Sequence, residues 1–309
     1  MQAPVILGLD FGGTKIAAAV CETSGVRLGT RTIDALADLG AASGLRRGID
    51  AARTLVEEVA PGRPVVAVGA CTFGIPRDDR IDLAPTIPGW GELALGSELR
   101  DAFTDAQIRL ATDVKAAAYA EAEWGALAGC DPGIYLNLGT GLAVAIVANG
   151  SVIAGRNGAA GEIGYNLRSV RDVDVPGADR RSLEEAVSGR ALIRDARQLA
   201  PLLETPAEVF AAATDNPRVA RLLADFISEL SYHLVNLTIA IDPARIVVGG
   251  GMVRSWDHLH SGLRRALDRA VPFPPELVQA QFPFDAPLMG AIALSTAAAR
   301  DILAEGAHA

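Results

Sequence analysis

The stretch LGLDFGGTKIAAAV, residues 7–20, is matched later by YLNLGTGLAVAIVANG, residues 135–150. Each is an apolar run that stops at a glycine-threonine turn and then resumes. Both read as a strand, a tight turn and a second strand. In the second copy Asn149-Gly150 supplies a preferred two-residue hairpin turn, and Ser151–Ile153 begins a third strand. In the first copy Cys21–Gly25 holds turn residues, and Val26–Ile33 continues the strand pattern. The chain therefore carries an approximate internal repeat.

The segments around the two copies extend this pattern. Leu45–Val59 has apolar positions at helical spacing and meets Pro61-Gly62 as its stop. Pro64–Ala70 is a β-branched run that predicts a buried strand, and Gln107–Ala111 predicts another. Asp113–Ala128 predicts a helix, with Asp113 as its N-cap or first-turn residue. Val219–Ile241 predicts a long helix, and Arg245–Val248 a strand ending in Gly249-Gly250-Gly251. Trp256–Ala270 and Leu288–Leu303 predict the last two helices. This order predicts an α/β fold with two lobes around a central cleft. The expected division is residues 1–112, with 291–309 packing back on them, and residues 113–290.

Bulk composition narrows the function. The 309 residues are half hydrophobic, enough for about two domains with real cores. Net charge is −9, and the densest basic spots, Arg46-Arg47 and Arg180-Arg181, are single pairs. Nucleic-acid binding needs clustered positive charge, so no nucleic-acid partner is expected. Cys21, Cys71 and Cys130 are scattered and form no C-x-x-C pair, which fits a reducing cytoplasm. No leader-like segment and no run near 18 uninterrupted apolar residues occurs, so no membrane partner is expected. His258 and His260 have no cysteine or third ligand nearby and are not read as a metal pair.

The turns themselves suggest anion chemistry. A strand ending in a glycine-rich turn presents several backbone N–H groups at one point, and glycine lets a ligand approach them closely. Two such turns suit a polyphosphate held from both sides, with Thr14 and Thr140 adding hydroxyl donors. Asp10, at the end of the first strand, is where a Mg²⁺-bound water could be held. Two other phosphate motifs are excluded. No G-x-x-x-x-G-K-[ST] loop exists, because Lys15 follows Thr14, and Gly139-Thr140-Gly141 is followed by Leu-Ala-Val rather than by the rest of G-x-G-x-x-G.

GAAGEIGYN, residues 158–166, sets one carboxylate, Glu162, and one phenol, Tyr165, in a run of small residues. A plain turn is the bland reading. The other motifs shift it. Over nearly its whole length the chain resembles the ROK family of sugar kinases and sugar-responsive repressors, which have the actin-like, ribonuclease H-like ATPase fold. LDFGGTKI and LNLGTGLAVAI resemble its two phosphate motifs and DPARIVVGGGM its adenosine motif. GRNGAAGEIGY and SLEEAVSGRAL resemble its sugar-binding motifs, and ATDVKAAAYAE the motif of its catalytic Asp.

The resemblance implies roles for particular residues. Asp113 would be the catalytic base. Asp10, Gly12, Gly13, Thr14, Lys15, Gly139, Thr140, Gly141, Gly249, Gly250 and Gly251 would hold ATP and Mg²⁺. Gly74, Thr112, Asp113, Glu162, Tyr165 and Glu184 would contact a sugar, although Glu185 stands beside Glu184 and could exchange roles with it. The implied activity is phosphorylation of a hexose 6-hydroxyl in the cytoplasm. A homodimer is common in the family.

Three departures bear on the substrate. Arg168–Ser182 holds no cysteine, where the family has a zinc-binding run, so no zinc site is expected. Thr112 stands where the family has an Asn, and Tyr165 where it has a His. Both changes suggest an acceptor other than plain glucose. An aminodeoxy-hexose such as kanosamine is the leading candidate, with Asp78 or Asp79 available for an ammonium, and N-acylmannosamine is another. The first motif begins at Leu7, so the helix-turn-helix region that precedes it in the repressors is not expected. A sugar sensor without catalysis is a further alternative, disfavoured by Asp10 and Asp113.

Overall fold

The computed structural model of the protein describes residues 2–84 and 87–306. Its chain divides into two compact units. The first comprises Met1–Glu123, Ala154–Ala159 and Asp285–Ala309; the second comprises Trp124–Ile153 and Ala160–Phe284. Of the expected first lobe, residues 1, 85, 86 and 307–309 lie outside the described residues.

The first unit begins with three antiparallel strands, β1 (Val5–Phe11), β2 (Lys15–Glu22) and β3 (Arg27–Asp34). Helix α1 (Ala41–Val59) then leads to β4 (Val65–Thr72), which pairs parallel to β1. The two-residue strands β5 (Ile75–Pro76) and β6 (Ile81–Asp82) form a small hairpin. Helix α2 (Leu95–Ala102) precedes β7 (Gln107–Thr112), which pairs parallel to β4, and α3 (Asp113–Trp124) follows at once. The sheet order is β3-β2-β1-β4-β7.

The second unit repeats this plan. Strands β8 (Gly133–Leu138), β9 (Leu142–Ala148) and β10 (Ser151–Val152) are antiparallel. Three helices follow, α4 (Gly189–Arg197), α5 (Pro206–Ala212) and α6 (Pro217–Ile241). Strand β11 (Arg245–Gly249) then pairs parallel to β8. Helix α7 (Trp256–Ala270) leads to β12 (Glu276–Gln279), parallel to β11, and α8 (Ala286–Gly306) closes the chain. The order β10-β9-β8-β11-β12 matches that of the first sheet strand for strand. The internal repeat read from the two hairpins thus extends over five strands, although the later ones share no visible motif.

The period-2 alternation of strands explains the layering of the first unit. Leu7, Leu9, Phe11, Val68 and Ala70 join α1 and α2 residues such as Leu45, Ile49 and Leu99 in one buried cluster. The opposite face carries Gly8, Asp10, Gly69 and Cys71, and α8 lies against it. Its backbone comes so close that a Cβ on Gly69 would stand 2.0 Å from the Ala291 carbonyl oxygen. Cys71, Ala111, Ala116, Ala291 and Leu294 form the small core on that side. By length and composition α8 could also cross a membrane. Most of its side chains from Ala286 to Ala299 are buried, while Ile302 and Leu303 are exposed. In the second unit, Leu136, Val144 and Val248 pack with Phe226, Leu230 and Leu234 of α6 and Leu259 and Leu263 of α7.

The boundaries differ from the expected 112/113 and 290/291. Helix α3 and the start of α8 belong to the first unit, because Gly290 packs directly on the backbone of Ala116. The helix expected over 113–128 stops at Trp124. The elements without a sequence signal were short: α5 has seven residues and the edge strand β12 four. His258 and His260 pack on the rings of Phe210 and Trp256.

The close approach of α8 is directly testable. A Cβ on Gly290 would lie 1.9 Å from the Ala116 carbonyl oxygen, whereas one on Gly177 meets nothing within 4 Å. Gly290→Ala is expected to cost roughly 2–3 kcal/mol in urea unfolding, as overpacking of rigid backbone does. Gly177→Ala should stay within about 0.5 kcal/mol of the wild type.

Candidate active site

In the first unit the β1–β2 turn is closed by Gly12 N–H donating to the Lys15 carbonyl at 3.0 Å. A Cβ on Gly12 would stand 2.8 Å from that oxygen, so the turn requires glycine there. Gly13, Thr14 and Lys15 are exposed at its tip, and the Thr14 carbonyl accepts from Ala35 N–H. Asp10 is the last residue but one of β1, on the α8 face, paired in register with Cys71 of β4. The Cys71 thiol lies 3.5 Å from Asp10 Oδ1 and 3.3 Å from the Pro287 carbonyl.

Burial, and then the negative charge of Asp113, push the Asp10 carboxyl up to about 7, against a lowering by the Cys71 thiol. Two carboxylates are thus gathered at the ends of two neighbouring-but-one strands, β1 and β7. An uncompensated carboxylate at a strand end suits a Mg²⁺-bound water, so Asp10 fits the ion.

The β7–α3 junction divides two tasks between adjacent residues. Lys115 N–H donates to Thr112 Oγ1 at 3.2 Å, so Thr112 is the N-cap. Asp113 is the first helical residue, with Oδ1 accepting from Val114 N–H at 2.8 Å. Thr112 is only 5% exposed, which places its hydroxyl under the helix end. Gly74 has φ +79 and would press a Cβ on Ala84 and Asp82, so the β4–β5 connection demands glycine there.

In the second unit the β8–β9 turn is closed by Gly139 N–H donating to the Gly141 carbonyl at 3.1 Å. Gly139 and Thr140 line a cavity of about 400 Å³ with Gly251, Met252, Ile193, Pro206 and Arg254. Of Gly249, which ends β11, and Gly250 and Gly251 after it, only Gly251 reaches this cavity. Gly249 is small because the Tyr135 hydroxyl occupies the place of its Cβ, and Gly250, at φ +87, abuts the Leu138 backbone. The sequence reading missed Ile193, Pro206 and Arg254, which come from three different elements and carry no shared motif.

The sugar-motif segment runs along β9. Val144 N–H donates to the Gly161 carbonyl at 2.9 Å, and a Cβ on Gly161 would meet the Val144 carbonyl oxygen at 1.9 Å. Glu162 precedes a single 3-10 turn, Ile163–Tyr165. Tyr165 is 53% exposed, and its hydroxyl is held above its usual pKa by partial burial and then by the negative charges of Glu162 and Glu184. Glu184 Oε2 accepts from Leu142 N–H at 2.9 Å. Glu185 is exposed and caps its own loop by accepting from Ser182 N–H at 2.8 Å. Glu184 thus faces the turn and Glu185 does not.

The segment 166–182 is held by charge and capping. Arg168 pairs with Glu229 of α6, and Ser169 with Asp172 forms a capping box. The pair Arg180-Arg181 is not simply solvated: Arg180 donates to the Tyr165 carbonyl at 3.2 Å and Arg181 to Asp195 at 2.8 Å. Asp78 and Asp79 do not suit an ammonium as expected. They pair with Arg100 and Arg80 and are 90% and 74% exposed.

Known proteins resemble the chain over most of its length. The model of the ROK family matches residues 6–298. The chain is 30% identical to a glucokinase of Streptomyces coelicolor over 284 residues, 85% of this chain and 87% of the other. It is 28% identical to the kanosamine kinase of Amycolatopsis mediterranei over 262 residues, covering 81% and 82%. The crystal structure of a ROK family glucokinase from Streptomyces griseus in complex with glucose and AMPPNP superimposes with a TM-score of 0.73 at 28% identity, covering 94% and 99%. The chain belongs to the ROK family, with its actin-like ATPase fold. Within that family it is a sugar kinase.

The cap at Thr112 gives a clean prediction. Thr112→Ala should cost about 1 kcal/mol in thermal or urea unfolding, the usual loss for an N-cap. Thr112→Asn, which keeps a capping side chain, should cost less than half of that.

Proposed function

We propose that the protein transfers the γ-phosphoryl group of ATP to the 6-hydroxyl of a hexose, with an aminodeoxy-hexose as the acceptor. The observation that carries the reading is the division of labour at the β7–α3 junction. Thr112 caps the helix, so Asp113 is not needed as its N-cap, and its negative charge acts on the Asp10 carboxyl at the end of β1.

In this reading a lone pair on the sugar's 6-oxygen attacks the γ-phosphorus as the bond to the β–γ bridging oxygen breaks. The hydroxyl proton passes to Asp113. A base in this position supplies about 10²–10⁴-fold in rate. The Val114 amide fixes the carboxylate by holding Oδ1. Asp10 would hold a Mg²⁺-bound water, and the ion, when bound, would neutralise phosphate charge. Backbone N–H groups of the two glycine turns would hold the phosphates. The cavity beside Thr140 and Gly251, with apolar walls from Ile193, Pro206 and Met252, would take the adenosine. Glu162 and Glu184 would accept hydrogen bonds from sugar hydroxyls.

Support for an aminosugar is Tyr165 and Thr112 together with the similarity to a kanosamine kinase. A second reading, glucose itself, is favoured by the similarity to glucokinases. A panel of glucose, kanosamine, glucosamine and N-acetylmannosamine in a coupled ADP assay decides between them. The expected result is that an aminosugar exceeds glucose in kcat/KM, and the reverse order rejects the aminosugar. Thr112→Asn should shift the preference toward glucose. Asp113→Asn should lower kcat at least about 10²-fold. A non-catalytic sensor or a repressor would show no sugar-dependent ADP release to lose.

We also propose that the fold needs no zinc, because ion pairs and a capping box hold segment 166–182. Purified protein should carry no stoichiometric zinc, and its Tm should be unchanged by EDTA. Zinc at one equivalent per chain, with a fall in Tm on chelation, is the contrary result.

A further inference from the structure

Glu184 makes two connections that a sugar ligand alone would not need. Its Oε2 accepts from Leu142 N–H at 2.9 Å, at the first residue of β9 after the glycine turn. A Cβ on Gly141 would stand 2.5 Å from the same oxygen, so the carboxylate rests directly on the turn. From its backbone, Glu184 N–H donates to the Gly164 carbonyl at 3.2 Å, inside the Glu162–Tyr165 segment. Gly164 is itself pinned between strand and loop, since its Cβ would lie 3.1 Å from the Leu142 carbonyl oxygen and 3.2 Å from Glu184 Cβ.

The other end of the same loop grips the other end of the same turn. Gly189 N–H donates to the Gly139 carbonyl at 2.8 Å, and a Cβ on Gly189 would meet that oxygen at 2.6 Å. Segment 184–189 therefore clasps Gly139–Leu142 at both ends. At the Gly139 end the bond is between backbone groups. At the Leu142 end it depends on one carboxylate, which is also grouped with Glu162 and Tyr165.

We propose that Glu184 is a positioning residue that ties the acceptor segment to the donor turn, so that sugar and nucleotide binding are coupled through one side chain. The inference rests on the kinase reading above and deepens it. The carboxylate that would meet a sugar hydroxyl also sets the turn that would meet the phosphates. By linkage, a sugar that strengthens this arrangement raises nucleotide affinity by the same factor that nucleotide raises sugar affinity.

Calorimetric binding of AMPPNP, with no sugar and no turnover, isolates the donor turn. Glu184→Ala leaves Leu142 N–H without its charged acceptor, and the AMPPNP Kd should rise at least about tenfold. Glu184→Gln keeps an amide oxygen for Leu142 N–H, so its AMPPNP Kd should stay within about twofold of the wild type while the sugar KM rises. If Glu184→Ala does not fold, Glu184→Asp, one methylene short of Leu142, should show the same loss. Wild-type AMPPNP affinity in the Ala or Asp variant overturns the inference and leaves the kinase reading standing. A wild type that binds no AMPPNP overturns both. A wild type that binds it normally, loses it in Glu184→Ala, and yet releases no ADP with any sugar supports the clasp and rejects the acceptor assignment.

Discussion

The contact between the α8 backbone and the middle of the first sheet is the constraint on which that unit depends. The Ala291 carbonyl lies where a side chain on Gly69 would begin, the Ala116 carbonyl lies where one on Gly290 would begin, and a Cβ on Gly8 would stand 2.8 Å from the Ile292 side chain. At Gly69 the helix backbone meets the strand directly, so α8 and the sheet cannot slide there without losing dispersion contacts. The same contact brings the Pro287 carbonyl to Cys71, and Cys71 to Asp10. The position of a carboxylate in the candidate site is thereby set by packing at the opposite end of the sequence.

The second unit solves a like problem by different means. Its glycine turn is clasped by a loop, through Gly189 at one end and Glu184 at the other. Glycines are required around it by specific atoms: Tyr135 at Gly249, Leu138 at Gly250, Val144 at Gly161. A glycine-rich motif that reads as room for a ligand is, at several of its positions, room for the protein's own backbone and side chains. Only Gly251 of its triplet opens on the cavity.

Most of the fold was legible in the sequence. The two hairpins, β4, β7, α1, α6, α7 and α8 follow from alternation, helical spacing and turn residues that act over a few residues. What was illegible had short or composite signals. β12 is a four-residue edge strand, and α5 depends on a Thr205–Glu208 capping box within seven residues. For the site, Asp10, Asp113, Glu162 and Glu184 were marked by their motifs. The choice between Glu184 and Glu185 was not, because adjacent residues differ only in which way the loop turns them. Arg100 and Arg80 could not be foreseen as partners of Asp78 and Asp79, since the contact with Arg100 spans more than twenty positions.

By itself the sequence determined the α/β repeat, the family and the chemical kind of each candidate group. These rest on local patterns: strand alternation, helix spacing, and glycine where the backbone must turn or lie bare. Only the tertiary structure decided which carboxylates sit together, that Thr112 rather than Asp113 caps α3, and that Glu184 reaches across to Leu142. Burial and distance between remote residues govern those outcomes, and both arise only when the sheets and helices have packed.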